Sequence, residues 1–442
     1  MAGWKPHPVI RVFPVPLPAD HPYVAVIMSE SRSADPVTPV AVEPPGAPIG
    51  FVEFVLLIAA LMALTALGID SMLPALPAIG EALNASPAAR PFVVTAFLIG
   101  FGVAQLVHGP LADRYGRRRV LVVALVIYII ANAASAVAGS FLLLMIARVC
   151  AGAAIAATRV ATVALVRDCY HGRAMAQVMS IAFMVFMVVP ILAPAFGELV
   201  LLFGNWRLIF WTIAGLSTLV LIWFAVRMPE TLAPEAQLPI SPSRIWSGWR
   251  ETATDRLSLG YTLAATALMA ALYGYLNSIQ PIMAVTFGRE KLLALIFATT
   301  SVTMAAANLL NSRIVMRLGT RLISHSAVSI LIAVSALHFA LIALGMESLV
   351  TFAVLQAITM ACFGLATSNF SAMAMERMGG IAGTASSVQG FTSVTIGSII
   401  GAGIGQAFDG TAGPLVLGFL TAGIAAFGVV FVTERGRMFR PL

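Results

Sequence analysis

The feature that most constrains this chain is the near-unbroken repetition of uncharged apolar runs about twenty residues long. Wound as a helix rising ~1.5 Å per residue, a run of that length crosses a hydrocarbon core of ~30 Å. Such runs fall near 52–74, 91–111, 120–138, 141–165, 175–200 and 207–227, and again near 258–284, 291–312, 322–344, 348–371, 382–406 and 412–433. Lipid offers the backbone no hydrogen bonds, so segments of this length are specified as helices. The sequence therefore predicts an all-α membrane protein with twelve transmembrane helices. Its 10% of charged residues, against ~25% in soluble domains, fits that reading.

The charges that remain gather between the runs. With both termini inside, four of the 26 Lys+Arg (Arg90, Arg207, Arg289, Lys291) fall outside and two (Arg148, Arg159) within a span. The other 20 lie on the cytoplasmic side, a strong positive-inside bias. The net charge of +7 is thus a matter of topology. It forms no continuous basic face for nucleic acid. Cys150, Cys169 and Cys362 show no CxxC spacing, so neither a disulfide framework nor a metal site is expected, and no cofactor motif is present.

Residues 1–50 differ in kind, holding eleven of the 25 prolines and no spanning run. They read as a disordered cytoplasmic tail. Met28, followed by Ser-Glu-Ser-Arg-Ser, has the look of a more ordinary start for it. Two six-helix halves, 51–227 and 257–433, follow, joined by a cytoplasmic stretch 228–256 and ended by a short tail 434–442.

The most specific string, Gly109-Pro-Leu-Ala-Asp113-Arg114-Tyr-Gly116-Arg117-Arg118-Arg119, lies between the second and third runs. Glycine permits a tight turn and close helix approach. An acid at one helix end can cap a neighbour or pair with an arginine across the gap, forming a latch that opens and closes. Residues 311–321 repeat the string weakly after a shift of 203, with Gly319 over Gly116, Arg321 over Arg118 and Met316 in the place of the acid.

This string resembles the loop signature of the major facilitator superfamily, matching it at Gly109, Leu111, Ala112, Asp113, Arg114, Gly116, Arg117 and Arg118. Asp70-x-x-x-Pro74-x-x-Pro77, Arg148 through Gly152, Arg167-Asp168, the Pro190-to-Gly197 stretch and Gly204-Asn205-Trp206-Arg207 are similar to its twelve-span drug:proton antiporters of the Bcr/CflA type. That resemblance implies two pseudo-symmetric halves working by alternating access. It assigns Asp70 and Arg148 to proton coupling, and the bend at Pro190, Pro194 and Gly197 to suppressing leak. Ala151, Ala154, Arg159 and Glu198 depart from the pattern, which loosens any inference about substrate.

Charges inside spans are functional hypotheses in their own right. Asp70 and Arg148 come out level, each roughly 27–28 Å above the inner end of its helix by the helical rise. Protonation could make and break such a pair, or the pair could be a static strut. Arg148 and Arg159 are eleven residues apart, about 20° of rotation, so both should face the central cavity. Two cavity arginines would favour anionic or zwitterionic cargo. Glu198 is either a third coupling group or a wet carboxylate at the outer rim. Glu53 reads as simply solvated, His108 as making a local hydrogen bond, and Met179, Met184 and Met187 as adaptable lining.

The resulting expectation is a bacterial inner-membrane exporter of small amphiphiles, drugs or toxic metabolites, working as a monomer and driven by the proton gradient. A solute importer or symporter on the same fold is the alternative. An embedded transferase would need an acid–base or metal cluster that the sequence lacks. A sensor would need a signalling module, which the 29-residue central stretch does not supply.

Overall fold

The computed structural model describes residues 48–170, 172–232, 237 and 241–439, apart from the side chains of 172–174, 176, 180, 183–187, 242, 244 and 380. Most of the proline-rich tail lies outside the described residues. Among the described residues, eleven helical segments are long and apolar enough to cross a membrane. The place of the expected fifth span is taken by α6 (Gly172–Leu201), in which Val188–Leu201 is an apolar stretch of described residues. The first half comprises α1 (Phe51–Asp70), a short α2 (Leu76–Ala82), α3 (Phe92–Tyr115), α4 (Arg117–Ala136), α5 (Phe141–Cys169), α6 and α7 (Arg207–Arg227). A linker helix α8 (Pro242–Thr254) precedes α9 (Arg256–Pro281), α10 (Leu293–Leu318), α11 (Thr320–Ala343), α12 (Leu349–Met375), α13 (Ala382–Phe391), α14 (Gly397–Gln406) and α15 (Gly413–Thr433). Residues 228–256, read as loop, thus contain a helix.

The packing pattern repeats between the halves. In the first, α5 lies against α3 and α4, α4 against α7, and α1 against α6. In the second, α12 lies against α10 and α11, α11 against α15, and α9 against α14. The halves meet along α3 with α13 and α14, and along α6 with α10. Large side chains such as Val52, Leu142, Leu219, Val226, Val350 and Val432 point outward, as a lipid-facing belt requires. Below, the basic end is the one carrying the Arg114–Arg119 loop, and the other is the far end.

Two details position the charged residues. The first run does not continue as one helix: α1 stops at Asp70, and a 3₁₀ turn (Leu73–Ala75) leads into α2. Pro74 and Pro77 sit in the first turns of these elements, where the missing N–H costs no bond. α6, in contrast, continues through Pro190 and Pro194. Gly197 there lets the helix touch the broken segment, because a Cβ would lie 1.9 Å from the Ser71 carbonyl oxygen.

The α3–α5 crossing is closer still. A Cβ at Gly152 would lie 1.9 Å from the Phe97 carbonyl oxygen, and one at Gly100 2.1 Å from that of Val149. Small residues that let backbones touch are the usual adhesive between membrane helices. Gly152→Val is expected to cost at least the ~1–3 kcal/mol typical of overpacking and to lower the melting temperature of the purified protein. Gly215→Ala, where a Cβ meets nothing within 4 Å, serves as control. Equal melting of wild type and Gly152→Val would refute the reading of this crossing.

Candidate functional site

Arg148 is 0% exposed, enclosed by α1, α3 and α7. Its Nη2 donates to the Gly68 carbonyl at 2.7 Å and its Nε to that of Val93 at 3.2 Å. Its Cζ stands 4.4 Å from the Phe97 ring centroid and 5.7 Å from that of Phe210. Nη1 has no partner among the described residues. Gly68 lies two residues before Asp70, so acid and arginine are level, as the helical rise predicts.

They are nevertheless not paired. Asp70 is 6% exposed and makes no ion pair or hydrogen bond among the described residues. It faces α9, where Tyr273 and Tyr275 feel its charge; Tyr275 itself bonds the Thr300 hydroxyl at 2.9 Å. Arg159 also acts on Tyr273. Unlike Arg148, it is exposed. The expectation that both arginines line one cavity is therefore corrected: α5 turns Arg148 into the first bundle and leaves only Arg159 open. Helical phase places both Cα atoms on one face, but each side chain goes where carbonyls or space receive it.

Glu198 joins the two halves. It is half-buried, and the backbone N–H of Ala294, at the start of α10, points at its carboxylate. A helix N-terminus favours an anion there. Nearby, the Asn277 side chain donates to the Thr95 hydroxyl at 3.3 Å, and the Gln406 amide to the Ala88 carbonyl. The far ends of the two halves are thus tied by two helix–helix contacts and one from α14 to the turn before α3. Met184 and Met187 fall among the side chains outside the description, while Met179 is partly buried against the core.

At the basic end the latch string forms a charge knot. Gly116 takes φ +95° between α3 and α4. Arg117, only 3% exposed, joins Asp113 at 2.7 Å and Asp168, near the end of α5, at 3.2 Å. Glu230, just after α7, accepts the Arg117 backbone N–H at 2.7 Å and so caps α4. Arg118 donates to the carbonyls of Met228 and Ala225, at 2.7 Å each. Arg114 is exposed and joins nothing among the described residues. Gly109 lies at the α3–α13 contact, facing Ser387.

The second half repeats the knot although its string lacks the acid. Gly319 takes φ +78°, and Met316, in the acid's place, is 89% exposed. Arg321 reaches Glu434, just after α15, at 2.8 Å, and Glu376, just after α12, at 3.7 Å. Tyr261 donates to Glu434 at 2.5 Å. The His325 ring accepts the Phe439 backbone N–H, at 3.1 Å. Sequence reasoning missed Glu230, Glu376 and Glu434 because each stands beyond a helix end, far along the chain from its arginine. Asp168 was visible within the Arg167-Asp168 pair. Glu53, expected to be solvated, binds Arg227 with both oxygens, at 2.6 and 2.7 Å, and Trp223 at 3.2 Å. His108 bonds the Ala104 carbonyl of its own helix at 2.9 Å. Cys169, beyond the predicted end of the fourth run, is the buried last residue of α5.

A separate apolar cleft opens between α11, α14 and α15, lined by Phe339, Ile342, Ile400 and Leu417, and holds none of these span charges. Among the described residues, no group of three or more His, Cys, Asp or Glu is placed to hold a metal.

Comparison with known proteins bears on this arrangement. The sequence profile described as Major Facilitator Superfamily matches residues 57–402. The chain is 28% identical over 399 residues to the bicyclomycin resistance protein homolog of Haemophilus influenzae, covering 86% of this chain and 96% of that protein. It is 26% identical over 380 residues to an uncharacterized MFS-type transporter of Bacillus subtilis, covering 83% and 92%. The crystal structure of a bacterial homolog of the human lysosomal transporter Spinster, inward-facing and occupied, superposes with a TM-score of 0.68. That match has 15% identity and covers 86% of this chain and 96% of that one.

The second knot makes a pH prediction. Burial works against the Glu434 charge, but hydrogen bonds from Tyr261 and Arg321 outweigh it and hold the carboxyl below its ordinary range. A lowered folded-state value stabilises the fold above the unfolded value, about 4.3, and the contribution is lost as pH falls through the folded one. The melting-temperature gap between wild type and Glu434→Gln should be full at pH 7 and shrink below pH ~4.3. A gap that does not change with pH would contradict the charged role of Glu434.

Proposed function

The chain belongs to the Major Facilitator Superfamily, and from that premise we propose that it is a secondary exporter of small amphiphilic molecules, driven by inward proton flow. It is a multi-pass membrane transporter, and its family is one of transporters, not enzymes. The name of the Haemophilus relative, a bicyclomycin resistance homolog, supports drugs or toxic metabolites as cargo. The bacterial relatives and the arginine bias support an inner-membrane location with both termini, and hence the basic end, in the cytoplasm. The exporter works as a monomer.

One observation carries the coupling: a buried Asp70 with no partner among the described residues, level with a buried Arg148 whose Nη1 is free. An unpaired carboxylate in such a place costs several kcal/mol, so the arrangement suits the neutral, proton-carrying acid. Loss of that proton would create an anion at the level of the spare donor of Arg148. Forming that pair competes with the bonds to Gly68 and Val93, which lie on α1 and α3. The charge state of one carboxyl would thereby bias how α1 and α3 sit on α5, which is what a two-state transporter needs. The Asp113–Arg117–Asp168 knot and its counterpart at Arg321 would hold the cytoplasmic ends in one of those states.

A second reading, a proton symporter, is favoured by a different observation. Arg159 and Asp70 both act on Tyr273. An anion bound at Arg159 would strengthen proton binding at Asp70, and such linkage carries both in one direction.

Proteoliposomes with an acidic interior separate the two. Exchange drives substrate inward as protons leave, whereas symport carries it outward. Asp70→Asn is expected to abolish the gradient-driven component while leaving the protein folded. Gradient-driven movement surviving in Asp70→Asn would overturn the assignment of Asp70.

A further inference from the structure

The face that α5 leaves uncovered changes along its length. In the far half Leu142, Leu143, Ile146 and Val149 are exposed, an apolar set suited to lipid. In the basic half the exposed set is Arg159, Val163 and Arg167, spaced four residues apart. Ile146 and Arg159 are separated by thirteen residues, about 140° round the helix at ~100° per residue. Arg159 is therefore turned away from the lipid-facing set, while Val163 and Arg167 swing back towards it. A guanidinium deep in a span avoids lipid and turns to an interior space. Tyr273, on α9 of the other half, lies on that side and is seated against Gly397 and Gly401 of α14.

Arg159 has no ion pair or hydrogen bond among the described residues. Arg148 is fully enclosed, Arg167 lies two turns nearer the basic end, and Asp70 is the acid that shares Tyr273 with it. Arg159 is ten residues from the end of α5, or ~15 Å along the axis, too deep for a lipid headgroup. A permanent cation, open to an interior space and flanked by a tyrosine and one apolar turn at Val163, is a receptor for an organic anion.

We infer that Arg159 and Tyr273 form the anion-receiving part of the cargo site, and that the cargo is an amphiphile bearing a carboxylate or sulfonate. The guanidinium takes the acid group as a charge-assisted pair, and the apolar body lies along Val163. This rests on the chain being a transporter but not on the direction of proton coupling.

The test uses the full chain, purified into nanodiscs of neutral lipid, and a pair of probes matched in shape: 2-naphthoate and 2-naphthamide. Wild type is expected to bind the naphthoate about tenfold tighter, the size of one charge-assisted bond. Arg159→Gln should bring the two affinities within about twofold, while Arg159→Lys keeps part of the preference. Melting temperatures show that each variant is folded. Equal binding of the two probes by wild type, no binding of the naphthoate, or an undiminished preference in folded Arg159→Gln overturns the inference. If the preference holds but acid-loaded proteoliposomes show no gradient-driven movement, the coupling reading fails and the anion site stands. If gradient-driven movement is seen without the preference, the anion site alone fails.

Discussion

A guanidinium sealed in a membrane bundle must be solvated by the protein itself, and the first half is arranged around doing this for Arg148. Two backbone carbonyls and two aromatic faces replace its water. The Val93 carbonyl, in the first turn of α3, receives the guanidinium on its second lone pair. The Gly68 carbonyl is available because α1 stops two residues later. The Pro74–Pro77 break, the Gly100–Gly152 crossing and the seat of Gly197 on Ser71 all serve to bring these atoms around one charge. Asp70, left at the end of the interrupted helix, is positioned by the same break.

Charge is handled differently at the basic end, where water is near. There the arginines meet carboxylates, and the two knots share a plan: an arginine at the start of α4 or α11, an acid at or beyond the end of α5 or α12, and an acid just past α7 or α15. The second knot keeps the acids at these helix ends and lacks only the one within the string, so the geometry recurs without the full motif. What is repeated is the electrostatic solution for holding three helix ends together, with a positive-φ glycine at each turn to aim the arginine.

Between these regions the halves meet unevenly. The far ends are tied through Glu198, Asn277 and Gln406, whereas α5 presents Arg159 to open space. Arg159 is exposed on the same helix that carries the enclosed Arg148, so the space it faces is asymmetric. Its positive side belongs to the first half and its tyrosine side to the second.

The succession of apolar helices was legible in the sequence, because lipid admits few ways to satisfy a backbone; the break of the first run at Asp70 and the helix within 228–256 were not. The level of Asp70 with Arg148 was legible too, since helical rise is constant. So was the glycine–arginine loop, since its residues are contiguous. Partners were not. Glu230, Glu376 and Glu434 lie far along the chain from the arginines they bind, and Glu53 finds Arg227 across the whole first half. The opposite fates of Arg148 and Arg159, nearly in phase on one helix, were decided by what each side chain finds within reach. Periodicity fixes where a Cα lies on a helix, and only tertiary packing decides whether carbonyls, aromatic rings or open space stand opposite it.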